Sequence, residues 1–169
     1  HRADLSDEEL KQWRERTQSG AESSAAENWN EAVTHFQAAL AIDPGYADTH
    51  FRLATAFENL GEFQAASGHY QRALDLDALR FRADTRINQV IQKVAANIEN
   101  GAFSFVDGAA AFEKASQPFQ PGWNLLLEHV HYDFVGNHVL AAEVSRSIDR
   151  QRAAAPRRAN AAEKLEAFF

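Results

Sequence analysis

Several residue types are missing or scarce in this chain of 169 residues. Cysteine is absent, which excludes disulfides and thiolate chemistry. Proline occurs only four times, so the many alanines favour helix. No apolar run approaches the roughly 20 residues that cross a bilayer, and the charged N-terminus lacks the apolar core of a signal peptide. We therefore expect a soluble, mainly helical protein without a membrane span, and its compartment stays open.

Positive charge is also in short supply, because the formal net charge is −7. Nucleic acid is excluded as the expected partner, since phosphate binding needs a basic surface. Methionine is absent even at the first position, so we expect a segment of a longer polypeptide. Hydrophobic residues make up 45%, which is enough for a folded core. No cofactor is predicted.

What the chain does contain is an internal repeat. The segment Trp29–Pro44 recurs 34 residues later as Phe63–Ala78, with small and aromatic residues in phase. A period of this length indicates a solenoid of paired helices. Helical spacing and capping signals then predict seven helices, over residues 7–25, 28–42, 47–60, 63–76, 83–98, 108–115 and 135–150. The Ala-rich tail, residues 153–169, is one more candidate helix.

The in-phase residues resemble the tetratricopeptide repeat (TPR) family. The second repeat matches at Leu53, Ala54, Phe57, Gly61, Phe63, Ala66, Tyr70 and Ala73, and the first at Gly20, Trp29, Ala32, Phe36, Ala39 and Pro44. The pattern is broken at Ser19, Ser23, Glu27, His50 and Ala78. The resemblance predicts an all-α fold with two antiparallel helix pairs, residues 6–98. The fifth helix would cap them through Ile87, Val90, Ile91 and Val94.

In TPR proteins the first helix of each pair lines a concave groove. The resemblance therefore implies a protein or peptide partner, and a role as an interaction scaffold. The groove residues would be Arg14, Thr17, Asp48, Phe51, Arg52, Thr55 and Asn59. Two histidines one repeat apart, His35 and His69, are interpreted as packing or surface residues.

A basic cluster, Arg80, Arg82 and Arg86, stands out in an acidic chain. One interpretation is an ion-pair network with Asp77 and Asp84 on a solvated face. The alternative is contact with a carboxylate or phosphate, because the guanidinium offers a planar fork of donors.

Residues 99–169 form a second region, expected to be a small, incomplete α/β or helical segment. Phe103–Asp107 is a short β-type run ending in an acid. Further on, Glu128 precedes His131 by three residues, so a turn would fold the acid back onto the imidazole. A histidine oriented by a carboxylate is what a serine nucleophile requires as its base.

The stretch from Asn88 to Ala142 resembles the closing third of SGNH (GDSL-type) hydrolases. The residues that carry it are Asn88, Phe105-Val106-Asp107, Phe112, the run Glu128-His129-Val130-His131, Gly136 and Leu140-Ala141. The resemblance implies that His131 is a catalytic base and Glu128 its orienting acid. No serine-bearing block is found, so the nucleophile would lie outside this chain, in the missing part of the same polypeptide. The chain alone is then not expected to turn over substrate.

Two other interpretations of this segment stay open. His131 is explained equally by a structural hydrogen bond near a helix start. His129, His131, Asp133 and His138 offer imidazole and carboxylate ligands, but their spacing lacks the helical i, i+4 pattern of strong zinc motifs. We therefore predict no metal site. An incomplete C-terminal region would expose apolar surface, so self-association is a further expectation.

Overall fold

The computed structural model describes residues 4–79, 81–98, 103–128 and 130–154. These residues contain helices and loops but no β-strand. The helices are α1 (Asp7–Ala25), α2 (Trp29–Ile42), α3 (Ala47–Asn59), α4 (Phe63–Leu76), α5 (Thr85–Ala96), α6 (Gly108–Ser116) and α7 (Phe134–Ala154). This confirms the predicted all-α, TPR-like fold. None of these helices is long and apolar enough to cross a membrane.

Helix α1 begins where the sequence signals it. The Ser6 hydroxyl accepts from the backbone N–H of Glu9, and the Glu9 carboxylate accepts from the Ser6 backbone at 2.8 Å. This capping box satisfies two N–H groups that a helix start leaves without partners. The three acidic residues in the first turn also interact favourably with the positive end of the helix dipole.

The first four helices form two pairs, and side chains of α2, α3 and α4 form one core between them. Helix α1 packs against α2, α3 packs against α4, and α2 packs against α3 between the pairs. The short connections make the neighbours antiparallel. Phe36 and Leu53 are fully buried at the centre of this core. The other buried members are Ala32, Ala56, Phe57 and Ala66.

The two turns inside the pairs have the same geometry but different residues. After α3, Gly61 has φ +78°, and the N–H of Glu62 donates to the carbonyl of Phe57 at 2.9 Å. After α1, Glu27 occupies the equivalent position with φ +59°. Both turns are Schellman motifs, which need a left-handed residue after the helix. The sequence break at Glu27 therefore keeps the fold but adds backbone strain.

Helix α5 is present, but its predicted packing is wrong. Its apolar side chains, Ile87, Val90, Ile91 and Val94, are 42–58% exposed instead of covering the repeats. Polar contacts attach the helix to α4. The Thr85 backbone N–H donates to Asp75 Oδ1 at 3.0 Å, and the Thr85 hydroxyl donates to Asp75 Oδ2 at 3.1 Å.

The C-terminal region has a smaller core of its own. Helices α6 and α7 pack together around Phe112, Leu125 and Leu126. The β-type run at Phe103–Asp107 forms no strand, because nothing in the described part of the chain pairs with it. Loop 117–122 contacts α4: the ring centroids of Phe63 and Phe119 lie 5.2 Å apart. The predicted tail helix lies outside the described residues, and the boundary between the two regions at residue 98 stays a prediction.

Candidate functional site

One face of α3 carries five of the seven predicted groove residues. They recur at helical spacing, so they form a continuous stripe along the helix. The stripe contains Asp48, Phe51, Arg52, Thr55 and Asn59. All are exposed except Thr55, which is half-buried, while the opposite face of α3 enters the core.

Phe51 is the largest apolar side chain on this α3 face. Its ring is 54% exposed and meets the Tyr70 ring of α4 edge-on, with 5.4 Å between the ring centroids. The Tyr70 hydroxyl lies 3.3 Å from the Thr55 hydroxyl. Burial raises the pKa of Tyr70, so its hydroxyl stays protonated over the physiological range. The two aromatic rings and the hydroxyl together make an amphipathic contact surface that is held in place from below.

The polar members of the α3 face differ in how free they are to contact a partner. Arg52 pairs with Asp48 at 2.6 Å, with both side chains about half exposed. The Thr55 hydroxyl instead donates to the carbonyl of Phe51, and the Asn59 amide donates to the carbonyl of Thr55. The structure therefore presents one aromatic ring and one exposed ion pair, while these two polar side chains bind their own helix.

Helix α1 carries the other two predicted groove residues. Arg14 is exposed, and the Thr17 hydroxyl donates to the carbonyl of Trp13. Trp13 itself is buried and packs edge-on against Tyr46, just before α3, at 4.7 Å between centroids. This contact places the α1 residues beside the N-terminal part of α3.

A histidine pair between α3 and α4 was missed by the sequence reasoning. His50 Nδ1 and His69 Nδ1 lie 3.0 Å apart, and His50 Nε2 lies 3.1 Å from the carbonyl oxygen of Pro44. A carbonyl only accepts, so His50 carries its proton on Nε2 and leaves Nδ1 as an acceptor. His69 must then donate from Nδ1. The signal in the sequence was His50, which stands where the repeat pattern has Trp.

The environment of His69 favours its neutral form. Its ring is close to parallel with the rings of His50 and Phe57, at centroid distances of 5.2 and 5.7 Å. Burial lowers the pKa of His69, and the neighbouring His50 lowers it further. The pair is a structural link between two helices of the second repeat.

The structure describes two of the three arginines of the predicted basic cluster. Arg82 and Arg86 are exposed, and Arg80 lies outside the described residues. The Asp84 carboxylate accepts from the backbone N–H of Ile87 at 2.8 Å, so it caps the start of α5. A carboxylate or phosphate ligand for the arginines stays a prediction.

Glu128 and His131 are brought together in a closed loop. The N–H of Leu127 donates to the carbonyl of His131 at 2.8 Å, and Leu126 and Tyr132 form an isolated antiparallel bridge. Within this loop Glu128 Oε1 accepts from the His131 backbone at 3.0 Å and also contacts the ring Nδ1 of His131. The imidazole is 77% exposed. Among the described residues, no serine hydroxyl is hydrogen-bonded to it.

The described residues form no metal centre around His131. Nowhere among them are three or more His, Asp or Glu side chains placed to hold an ion. His129, one of the four residues weighed as ligands, lies outside the described part of the chain.

Stacked helix pairs with a 34-residue period define a helical-repeat region. The family model described as Tetratricopeptide repeat matches residues 24–84, which span α2 to α4 and the turns around them. No curated protein and no solved structure matches the chain significantly. Residues 24–84 are therefore similar to tetratricopeptide repeats, a kind of domain that generally mediates protein interactions.

Proposed function

We propose that the repeat region binds a peptide segment of a protein partner along the α1 and α3 face. The observation that carries this proposal is Phe51, an aromatic ring half exposed on the first helix of a pair and supported by Tyr70. Aromatic side chains with one fixed face are frequent anchors of protein interfaces, because they bury a large area at small entropic cost.

Charge suggests the chemistry of the peptide. Arg14 and Arg52 are the two cations among the predicted groove residues, and Arg52 pairs with the carboxylate of Asp48. A guanidinium binds carboxylates in a bidentate way. The proposed ligand is therefore an apolar residue that contacts Phe51, next to an acidic side chain or a C-terminal carboxylate that contacts an arginine.

The test starts from random peptides displayed on phage and selected on the immobilised chain. A pass over the empty support comes first and removes peptides that bind the support itself. Affinities of the surviving peptides are measured by fluorescence anisotropy. Phe51→Ala and Arg52→Glu are each expected to raise the dissociation constant at least about tenfold, which is the effect of losing one interface anchor.

Matched controls separate this face from the rest of the surface. Trp123→Ala removes an aromatic ring that is more exposed than Phe51, and Arg72→Glu reverses a charge on the exposed side of α4. Both are expected to bind as the original chain does. Equal affinity of Phe51→Ala and Arg52→Glu with the original would remove this face as the binding site.

A second candidate function rests on the contact between Glu128 and His131. We propose that the pair acts as the base of an ester hydrolase or acyltransferase whose serine nucleophile lies outside this chain. The contact with Glu128 would fix the tautomer with hydrogen on Nδ1, which leaves Nε2 to accept the proton of a hydroxyl.

The polypeptide that contains this chain and its flanking sequence is the material for the second test. Hydrolysis of short acyl esters is expected to fall by about a thousandfold or more in His131→Ala, as for other catalytic bases. His138→Ala, which removes an exposed histidine of α7, serves as the control and is expected to keep full activity. Equal activity of His131→Ala and the original would exclude this function.

A further inference from the structure

The apolar side of α5 is an exposed surface to which peptide binding along the α1 and α3 face gives no role. This surface, the α5 stripe, consists of Ile87, Val90, Ile91 and Val94, at the i, i+3, i+4, i+7 spacing of one helical face. Each side chain is about half exposed. All four residues are β-branched, so their side chains lose little rotamer freedom when a partner contacts them.

The hydrogen bonds that attach α5 to the rest of the protein fix the direction of the α5 stripe. The Thr85 backbone N–H donates to Asp75 Oδ1 of α4 at 3.0 Å, and the Gln92 amide donates to the Asp107 carboxylate at 2.8 Å. At about 100° per residue, Thr85 and Gln92 lie on the side of the helix opposite the stripe. The polar side is therefore attached to the protein, and the stripe points away from it.

Two cations border the α5 stripe on one flank. Arg86 and Lys93 are seven residues apart, so they lie on the same side of the helix, about 10 Å from each other along its axis. Both are exposed, and α5 contains no Asp or Glu. Elsewhere Arg52 and Arg146 each pair with a carboxylate of their own helix at 2.6 Å. Among the described residues Arg86 and Lys93 have no such partner, so the border of the stripe is locally positive.

The α5 stripe lies where an array of paired helices would continue. Helix α5 follows α4 as the first helix of a further pair would, and α4 is the one helix that it packs against in the described part of the chain. Each unit of a solenoid buries its apolar face against the next unit. A helix of another protein matches the position that the next unit would take.

We propose that the α5 stripe and its two cations bind an amphipathic helix of a protein partner that carries Asp or Glu beside its apolar face. The apolar face of that helix packs on the stripe, as amphipathic helices do when they bind through regularly spaced anchors. Its carboxylates contact Arg86 and Lys93, and a helix with cations at these positions is repelled. A bilayer with anionic lipids combines apolar and negative groups as well, but a net charge of −7 opposes its approach to the whole molecule.

Helical peptides displayed on phage are the probe. Their apolar face is fixed as leucine, and the positions on both borders of that face vary between Glu and Lys, so that either orientation on α5 is available. The library is passed over the empty support and then selected on the immobilised chain. Selection is expected to enrich Glu at the borders. In fluorescence anisotropy the all-Glu peptide is expected to bind at least about tenfold more tightly than the all-Lys peptide.

Two substitutions on opposite sides of α5 locate the apolar contact. Ile91→Asp puts a charge at the centre of the α5 stripe and is expected to raise the dissociation constant of the all-Glu peptide at least about tenfold. Gln89→Asp adds the same charge on the opposite side of the helix and is expected to change the dissociation constant by less than about twofold.

A charge exchange tests the role of the cations. The double variant Arg86→Glu with Lys93→Glu is expected to reverse the preference, so that the all-Lys peptide binds more tightly than the all-Glu peptide. Its control is Lys11→Glu with Arg16→Glu, which changes the net charge equally at exposed positions of α1 and is expected to keep the original preference.

Four results would overturn the proposal. The first three are no enrichment over the empty support, equal binding of the two peptides, and an affinity that Ile91→Asp leaves unchanged. The fourth is binding of the original chain to vesicles of phosphatidylcholine and phosphatidylglycerol that Ile91→Asp abolishes, because the α5 stripe would then contact a membrane. Other substitutions test the α3 face, so the two proposals fail independently.

Discussion

Gly20 shows how a single missing methyl group shapes the core of the first repeat. A Cβ atom at this position would lie 2.6–2.9 Å from three atoms of the Phe36 ring. Phe36 is fully buried, so its ring has no free space to move into. Glycine at position 20 is therefore what lets α1 and α2 approach around this ring.

We predict that Gly20→Ala lowers the free energy of unfolding by about 1–3 kcal/mol, because overpacking forces the core to shift. Gly68→Ala is the matched control, since a Cβ at Gly68 meets nothing within 4 Å and the residue lies inside α4. It should raise stability by about 0.5–1 kcal/mol through helix propensity alone. Urea unfolding of both variants measures the difference, and equal effects would contradict the packing argument.

The two Schellman turns offer a reciprocal exchange of residues. Glu27 holds a left-handed φ of +59° that glycine adopts freely, so Glu27→Gly should stabilise the chain by about 0.5–1 kcal/mol. Gly61→Glu places a side chain at φ +78° and should cost about 1–2 kcal/mol. Thermal unfolding of each variant is the measurement. A loss of stability in Glu27→Gly would show that the glutamate side chain contributes more than the strain costs.

At the scale of the helices, the His50–His69 pair makes the second repeat sensitive to pH. The pKa of His69 is lowered by burial and by His50, so the unfolded chain binds its proton more tightly than the folded one. Above pH 6.5 protonation of His69 does not lower the free energy of unfolding. As the pH falls below 6.5, the unfolded chain takes up the proton more readily, so the free energy of unfolding decreases.

We therefore expect the melting temperature of the chain to fall between pH 7.5 and pH 5.5 more steeply than that of His69→Gln. Glutamine keeps a polar side chain at the position but does not titrate. Differential scanning calorimetry at several pH values gives the two slopes. Parallel slopes would mean that the pair does not control the acid sensitivity of the repeat.

The elements themselves were largely predictable from local signals. The capping box at Ser6, the stop at Pro44 and the turn at Gly61 are encoded within a few residues, and the helices between them formed as expected. Helix α5 began at Thr85 and not at Ala83, because the Asp84 side chain caps it. Such signals act over one turn, and a sequence shows them directly.

Contacts between elements were harder to predict, for two physical reasons. Periodicity identified the apolar face of α5 but not what would cover it, and the polar bonds of Thr85 turned that face outwards. The alternation of Phe103 and Phe105 favours a strand, yet a strand exists only when a second one pairs with it. The contact of Glu128 with His131 could be predicted from the sequence, because the two residues are only three positions apart in one loop.

At the scale of the whole molecule, the described residues form two apolar cores of unequal size. The core of the repeats is formed by side chains of α2, α3 and α4, with α1 packed against α2. The second core is formed by α6, α7 and the loop between them. Repeat arrays gain stability from each added interface, so two pairs with an open end are a short array. The exposed apolar side of α5 lies at this open end.

The central claim is that the α1 and α3 face binds peptide. Backbone amide chemical shifts of the isotope-labelled chain, recorded with and without a selected peptide, test it most directly. Shifts concentrated at Arg14, Phe51 and Arg52 are the predicted result, with little change in α5. Shifts confined to α5, to the loop around His131 or to the outer side of α4 would contradict the claim.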